Sequence, residues 1–300
     1  MKQFFSYVEL RTKITSVLPF FLVLAYLFSI GQPVDGMRSL LFFGAMFLFD
    51  LTTTAINNYI DTKTNGQSLP YSRRTALAIL LLLFLISAGL GLYLAWSTDA
   101  VVFLLGGLCF LCGVCYTWGP VPISRLPLGE VFSGVFYGLI LPFLLLYINM
   151  PQGTYLSLSY SWQSVQISLN LFPLVTVLLL AAAPMCATAN IMLANNLCDL
   201  EKDAALGRHT LPWFLGRKKS LAVFAVLYYV IYFTIVLMAI LRILSPLCLL
   251  SLLTLPLVQR NIRRFWKEQK KETTFVLSVV NFILVIGTNT VLIFVSGFLP

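Results

Sequence analysis

Long uninterrupted apolar runs leave this chain few ways to fold. About nine stretches are long enough to cross a bilayer as helices. They fall at 14–31, 38–60, 74–96, 100–118, 128–148, 171–197, 220–241, 244–259 and 274–298. None alternates polar with apolar residues as a barrel strand would, so each reads as a helix. Only 10% of the residues are charged, where a soluble domain carries about a quarter. The expected fold is an all-α membrane protein, a bundle of about nine transmembrane helices. One domain is expected to occupy residues 1–300. The eighth run is short and is expected to be tilted or partly re-entrant. No short apolar core with a small-residue cleavage site opens the chain, so no removable signal is expected.

The charges give the expected orientation. With the N-terminus in the cytoplasm, eighteen of the twenty Lys and Arg residues fall on the inner side, and only Arg38 and Arg242 lie outside. Cytoplasmic enrichment of this kind is the usual bias. The net charge of +9 then reflects loop topology and anionic membrane lipid, and no nucleic acid partner is expected. Cys109, Cys112 and Cys115 recur every third residue, but inside an apolar run, where packing is the expected role. The loop 149–170 carries Tyr155, Tyr160 and Trp162 and is expected to be an interfacial hairpin without chemistry.

Two of the apolar runs end in the same polar spacing. Asn57-Asn58-Tyr59-Ile60-Asp61 closes the second, and Asn195-Asn196-Leu197-Cys198-Asp199 closes the sixth, 138 residues later. Both read Asn-Asn-x-x-Asp. Asp50, Thr54, Asn57 and Asp61 share one helical face, as do Thr188, Asn195 and Asp199, with Asp203 a turn further on. Lipid cannot satisfy such faces, so they are expected to point into the bundle, and carboxylates there are functional candidates. The two helices are four spans apart and so run parallel, as two pseudo-repeated halves would. Lys63, Arg73 and Arg74 follow the first motif; Lys202 and Arg208 follow the second. Hard oxygens beside basic side chains suit a diphosphate with Mg²⁺.

These residues resemble the UbiA superfamily of membrane prenyltransferases. Asn195 to Asp203, followed by Gly207-Arg208-His209-Thr210-Leu211-Pro212, is similar to the second motif of the 1,4-dihydroxy-2-naphthoate polyprenyltransferase branch. Asn57 to Gly66 resembles the first motif. Tyr116-Thr117-Trp118-Gly119-Pro120, Leu128-Gly129-Glu130 and Arg11-Thr12-Lys13 resemble further segments. Asn58 departs from the family's usual aspartate, and Asn65 and Gln67 stand where a further one would fall, so the first motif keeps Asp61 alone.

The resemblance implies prenyl transfer from a polyprenyl diphosphate to an aromatic quinone precursor, giving a demethylmenaquinone precursor. It implies Mg²⁺ on Asp61, Asp199 and Asp203, with Asn195 beside them. Asn57, Asn58, Lys63, Arg73, Lys202 and Arg208 are implied at the diphosphate, and Tyr59 and Tyr116 along the prenyl cation. A carboxylate at position 58 is expected to be tolerated there. A 4-hydroxybenzoate-type acceptor, a non-catalytic prenyl-lipid binding protein and a secondary transporter are the alternatives.

Overall fold

The computed structural model describes residues 2–63, 68–119 and 122–299. Asn65, Gln67 and Pro120, singled out above, lie outside the described residues. Among those described, eight helices are long and apolar enough to cross a membrane. After a short helix α1 (Lys2–Tyr7) they are α2 (Leu10–Ser29), α3 (Gly36–Asp61), α4 (Arg73–Trp96), α5 (Ala100–Thr117) and α6 (Gly129–Asn149). Then come α7 (Leu171–Cys198), α10 (Arg217–Ile240) and α12 (Val276–Ser296). Two short helices, α8 (Leu200–Ala205) and α9 (Leu211–Leu215), fill the segment after α7.

The expected ninth crossing at 244–259 takes a different form. It is a 3₁₀ helix, Pro246–Thr254, running into α11, Leu255–Lys267. Pro246 and Pro256 open these two pieces, each lacking a backbone donor. Arg260, Arg263, Arg264 and Lys267 make α11 too polar to count as a span. The loop 149–170 is a hairpin as expected, although it adds strands to an otherwise helical fold: β1 (Leu156–Tyr160) pairs antiparallel with β2 (Val165–Leu169).

Sequence sets the helix ends by ordinary capping. Asp35, Ser72 and Asp99 each accept a backbone N–H from the first turn of α3, α4 and α5, satisfying donors that a helix start leaves free. Lipid-facing apolar residues then stay exposed, for example Leu85 at 66% and Phe233 at 66%. The two motif-bearing helices are the longest, at 26 and 28 residues. At 1.5 Å per residue they run about 39 and 42 Å, past a hydrocarbon core of about 30 Å. Such lengths suffice for an upright helix to extend its polar end beyond the apolar zone.

Two compact units divide the chain: Met1–Val17 with Asp35–Ile123, and Leu18–Val34 with Ser124–Pro300. In the first, Tyr7 is fully buried and its hydroxyl donates to the carbonyls of Ala55 and Ala76, both at 3.2 Å. In the second, α6 and α7 touch backbone to backbone. A Cβ on Gly138 would lie 2.3 Å from the Cα and N of Met185, and one on Gly134 would lie 2.9 Å from the Met185 carbonyl oxygen. This is the close approach that a small-x-x-x-small pair allows between membrane helices. Pro142 follows, and the turn Phe136–Ile140 before it is wound as a π-helix, the adjustment expected where proline removes a helical donor. The antiparallel contact sets Glu130, one turn before Gly134, beside the end of α7.

Candidate active site

The first motif closes α3 in the first unit. The inner half of its polar stripe is occupied by Lys13. That lysine was expected among the cytoplasmic charges, yet it is only 3% exposed. Its ammonium donates to the Asp50 carboxylate and to the Asp50 carbonyl, each at 3.0 Å, and to the Thr54 hydroxyl. Ser16 donates to the other Asp50 oxygen at 2.7 Å. Burial removes both charges from water, so pairing is what makes them tolerable. Asp50 therefore pins the start of α2 to α3.

Further out, Asn57 accepts from the Thr117 hydroxyl at 3.2 Å. Asn58 donates from its amide to the Tyr7 carbonyl at 2.9 Å and to the Glu9 carboxylate at 3.3 Å. This reverses the expectation of a tolerated carboxylate at 58. Both partners are acceptors, and an aspartate would set its charge against them. Glu9 itself holds a left-handed backbone, φ 46°.

Asp61, half-buried, is the last residue of α3. Beside it, Tyr59 gathers two of the candidate cations. The Lys63 ammonium is 5.3 Å and the Arg73 guanidinium 5.4 Å from its ring centroid. Arg73 also donates to the Tyr59 carbonyl at 3.1 Å. Arg73 and Lys63 are exposed, and Tyr116 is half-buried in the last turn of α5.

The second motif closes α7 in the second unit, and residues outside it orient its side chains. Asn196, buried, donates to Glu130 Oε1 at 2.9 Å. Asn195 donates to Asn196 Oδ1 at 3.5 Å. With its amide nitrogen so engaged, Asn195 turns its carbonyl oxygen the other way, to the ammonium of Lys271. The same ammonium lies 2.6 Å from Asp199 Oδ2. The fixed network assigns the amide orientation. Asp203 lies one turn on. Gly207, at φ +69°, lets the chain reverse, so that Arg208 returns its N–H to the Asp203 carbonyl at 2.9 Å and its guanidinium to the carboxylate at 3.9 Å. Burial raises the Asp203 carboxyl above its ordinary value; Arg208 opposes that and the Asp199 charge adds to it. Lys202 is exposed on the same turn.

Sequence reading missed Glu130 as an orienting group and Lys271 altogether. Glu130 carried a signal, a carboxylate at the start of an apolar run. Lys271 carried none, being one cation in a basic stretch.

The donor set fits a hard divalent ion. An amide oxygen and a carboxylate oxygen already converge on one cation, the Lys271 ammonium, and a second carboxylate follows a turn later. Among the described residues no three His, Cys, Asp or Glu side chains gather closely enough to hold an ion alone. Mg²⁺ ordinarily takes one or two protein carboxylates, with water and phosphate oxygens for the rest.

The class is thus a multi-pass membrane protein with two oxygen-rich, cation-flanked helix ends. The sequence profile of the UbiA prenyltransferase family matches residues 17–294, and the chain belongs to that family. It is 28% identical over 196 residues to the 1,4-dihydroxy-2-naphthoate octaprenyltransferase of Bacillus subtilis strain 168, an alignment covering 65% of this chain and 57% of that relative. The fold is similar to that of a UbiA homologue from Aeropyrum pernix K1, with a TM-score of 0.67 at 20% identity over 94% of this chain and 97% of that one. It is equally similar to a UbiA homologue from Archaeoglobus fulgidus bound to GPP and Mg²⁺, at 0.67 and 14% identity, covering 98% and 99%.

Proposed function

We propose that the protein transfers a polyprenyl group from a polyprenyl diphosphate to an aromatic acceptor, 1,4-dihydroxy-2-naphthoate before others. The observation that carries this reading is the pair of oxygens, Asn195 Oδ1 and Asp199 Oδ2, gathered on a cation at the end of a membrane helix. Family membership and the Bacillus subtilis relative support the reaction class and the acceptor. The Archaeoglobus fulgidus structure supports GPP-like donors and Mg²⁺.

In the second unit Asp199 and Asp203, with Asn195, are the residues proposed to hold Mg²⁺; in the first unit Asp61 is the carboxylate proposed for that role. When bound, the ion neutralises charge on the leaving diphosphate. Lys63, Arg73, Lys202 and Arg208 bind diphosphate oxygens, and Asn57 and Asn58 shape the end of α3 around them. Tyr59 holds Lys63 and Arg73 in place through its ring, and Tyr116 lines the prenyl chain. The allylic C–O bond breaks with its electron pair leaving on the diphosphate. An electron-rich ring carbon attacks the resulting cation, and a dry cavity keeps water from capturing it. With dihydroxynaphthoate the attacked carbon sheds its carboxylate as CO₂, whose bonding pair returns to the ring, and a demethylmenaquinone precursor results.

Segregation of basic residues supports a cytoplasmic N-terminus and cytoplasmic segments 61–73, 198–219 and 260–273. Membranes supplied with Mg²⁺, a polyprenyl diphosphate, and either dihydroxynaphthoate or 4-hydroxybenzoate test the proposal by product mass. A prenylated, decarboxylated naphthol is expected. A hydroxybenzoate product alone would reassign the acceptor. Diphosphate binding without either product would favour a lipid-binding role.

A further inference from the structure

We infer that Lys271 is a tethered stand-in for the metal of the second motif: its ammonium occupies the oxygens of Asn195 and Asp199 and leaves them when Mg²⁺ binds. The inference rests on the diphosphate–Mg²⁺ reading above. Lys271 lies 72 residues beyond Asp199. Its ammonium donates to Asp199 Oδ2 at 2.6 Å and to Asn195 Oδ1. These are two of the oxygens that the proposed metal would take from that motif.

The backbone carrying it is tied down. Lys270 donates its N–H to the Thr274 hydroxyl at 2.8 Å, and the N–H groups of Thr274 and Phe275 return to the Lys270 carbonyl at 3.0 and 3.1 Å. Lys270 is itself paired with Glu268 at 2.6 Å. The Lys271 side chain, by contrast, is 40% exposed on a flexible four-carbon stem. The Phe275 ring flanks the ammonium where it sits, with its centroid 5.0 Å away.

Without metal, Asp199 and Asp203 add like charges to one turn of chain, and the ammonium offsets them. A divalent ion at the same oxygens has twice the charge and displaces it. Two consequences follow. Lys271 lowers the apparent affinity for Mg²⁺. Once displaced, it supplies a positive charge for the incoming diphosphate, coupling metal to substrate. Exposed ion pairs are weak, so the first effect is modest, about fivefold.

Isothermal titration of the full chain in detergent with Mg²⁺ tests this. Lys271→Met is expected to bind Mg²⁺ about fivefold more tightly. Lys270→Met, which loses the same charge one residue away, is expected to bind like the parent. On the unaltered protein, reductive methylation of Lys271, read by mass spectrometry, is expected to speed up several-fold when Mg²⁺ is added. Unchanged or weaker Mg²⁺ binding by Lys271→Met, or methylation indifferent to Mg²⁺, overturns the inference. Asp199→Asn separates the two possible failures. If it binds Mg²⁺ as the parent does, the motif is not the metal site and the underlying reading falls. If it loses Mg²⁺ while Lys271→Met matches the parent, only the stand-in falls.

Discussion

Asn58 shows how a single side chain can keep a motif's spacing while changing its work. Its amide donates to Tyr7 and Glu9, so it fastens the N-terminal segment to α3. Asn58→Asp is expected to lower stability by about 1–2 kcal/mol, the loss of a partly buried hydrogen bond compounded by repulsion from Glu9. Thermal unfolding in detergent measures it, and equal or greater stability would count against the assigned donor. At this scale the sequence reveals residues whose chemistry is local. Asp61, Asp199 and Asp203 stand out because carboxylates near apolar runs are costly. Glu130 stands out on the same ground, but its partner Asn196, 66 residues away, does not show, and nothing marks Lys271 as the partner of Asp199, 72 residues before it. Lys13 misleads for the same reason: its charge looked solvated until Asp50 met it 37 residues later.

At the scale of elements, two contacts decide where the motifs stand. The buried Lys13–Asp50 pair holds the start of α2 on α3. Asp50→Asn leaves an uncompensated ammonium and is expected to cost about 3–5 kcal/mol. Lys13→Met with Asp50→Asn should recover much of that, because neither charge is then buried alone. Additive losses in the double variant would show that the pair is not coupled. The Gly134 and Gly138 contact does the same for α6 on α7. Gly138→Ala must push backbone apart, at about 2 kcal/mol or more, and should loosen Glu130 from Asn196. Wild-type melting of that variant would contradict the packing. Apolar runs and capping residues make the long helices legible. The segment 246–267 was harder, because its apolar first half and basic second half average to a weak span. The π turn of α6 is not read from periodicity; it precedes Pro142, which lacks the helical donor.

For the whole molecule, the proposed function draws on two motifs that the chain separates by 138 residues. If Mg²⁺ and diphosphate share one site, each should strengthen the other's binding, because their charges compensate. Thermal stabilisation by the pair should then exceed the sum of the separate effects; strict additivity would speak against a shared site. A cysteine at Ala205 should resist an impermeant thiol reagent in intact cells and react after permeabilisation. Labelling from outside would reverse the proposed orientation. The most direct measurement is prenyl transfer by Asp199→Asn, with folding checked by its melting curve. The account predicts a normally folded protein whose turnover falls by roughly two orders of magnitude, ~3 kcal/mol of transition-state stabilisation. A folded Asp199→Asn variant with parental turnover would contradict it.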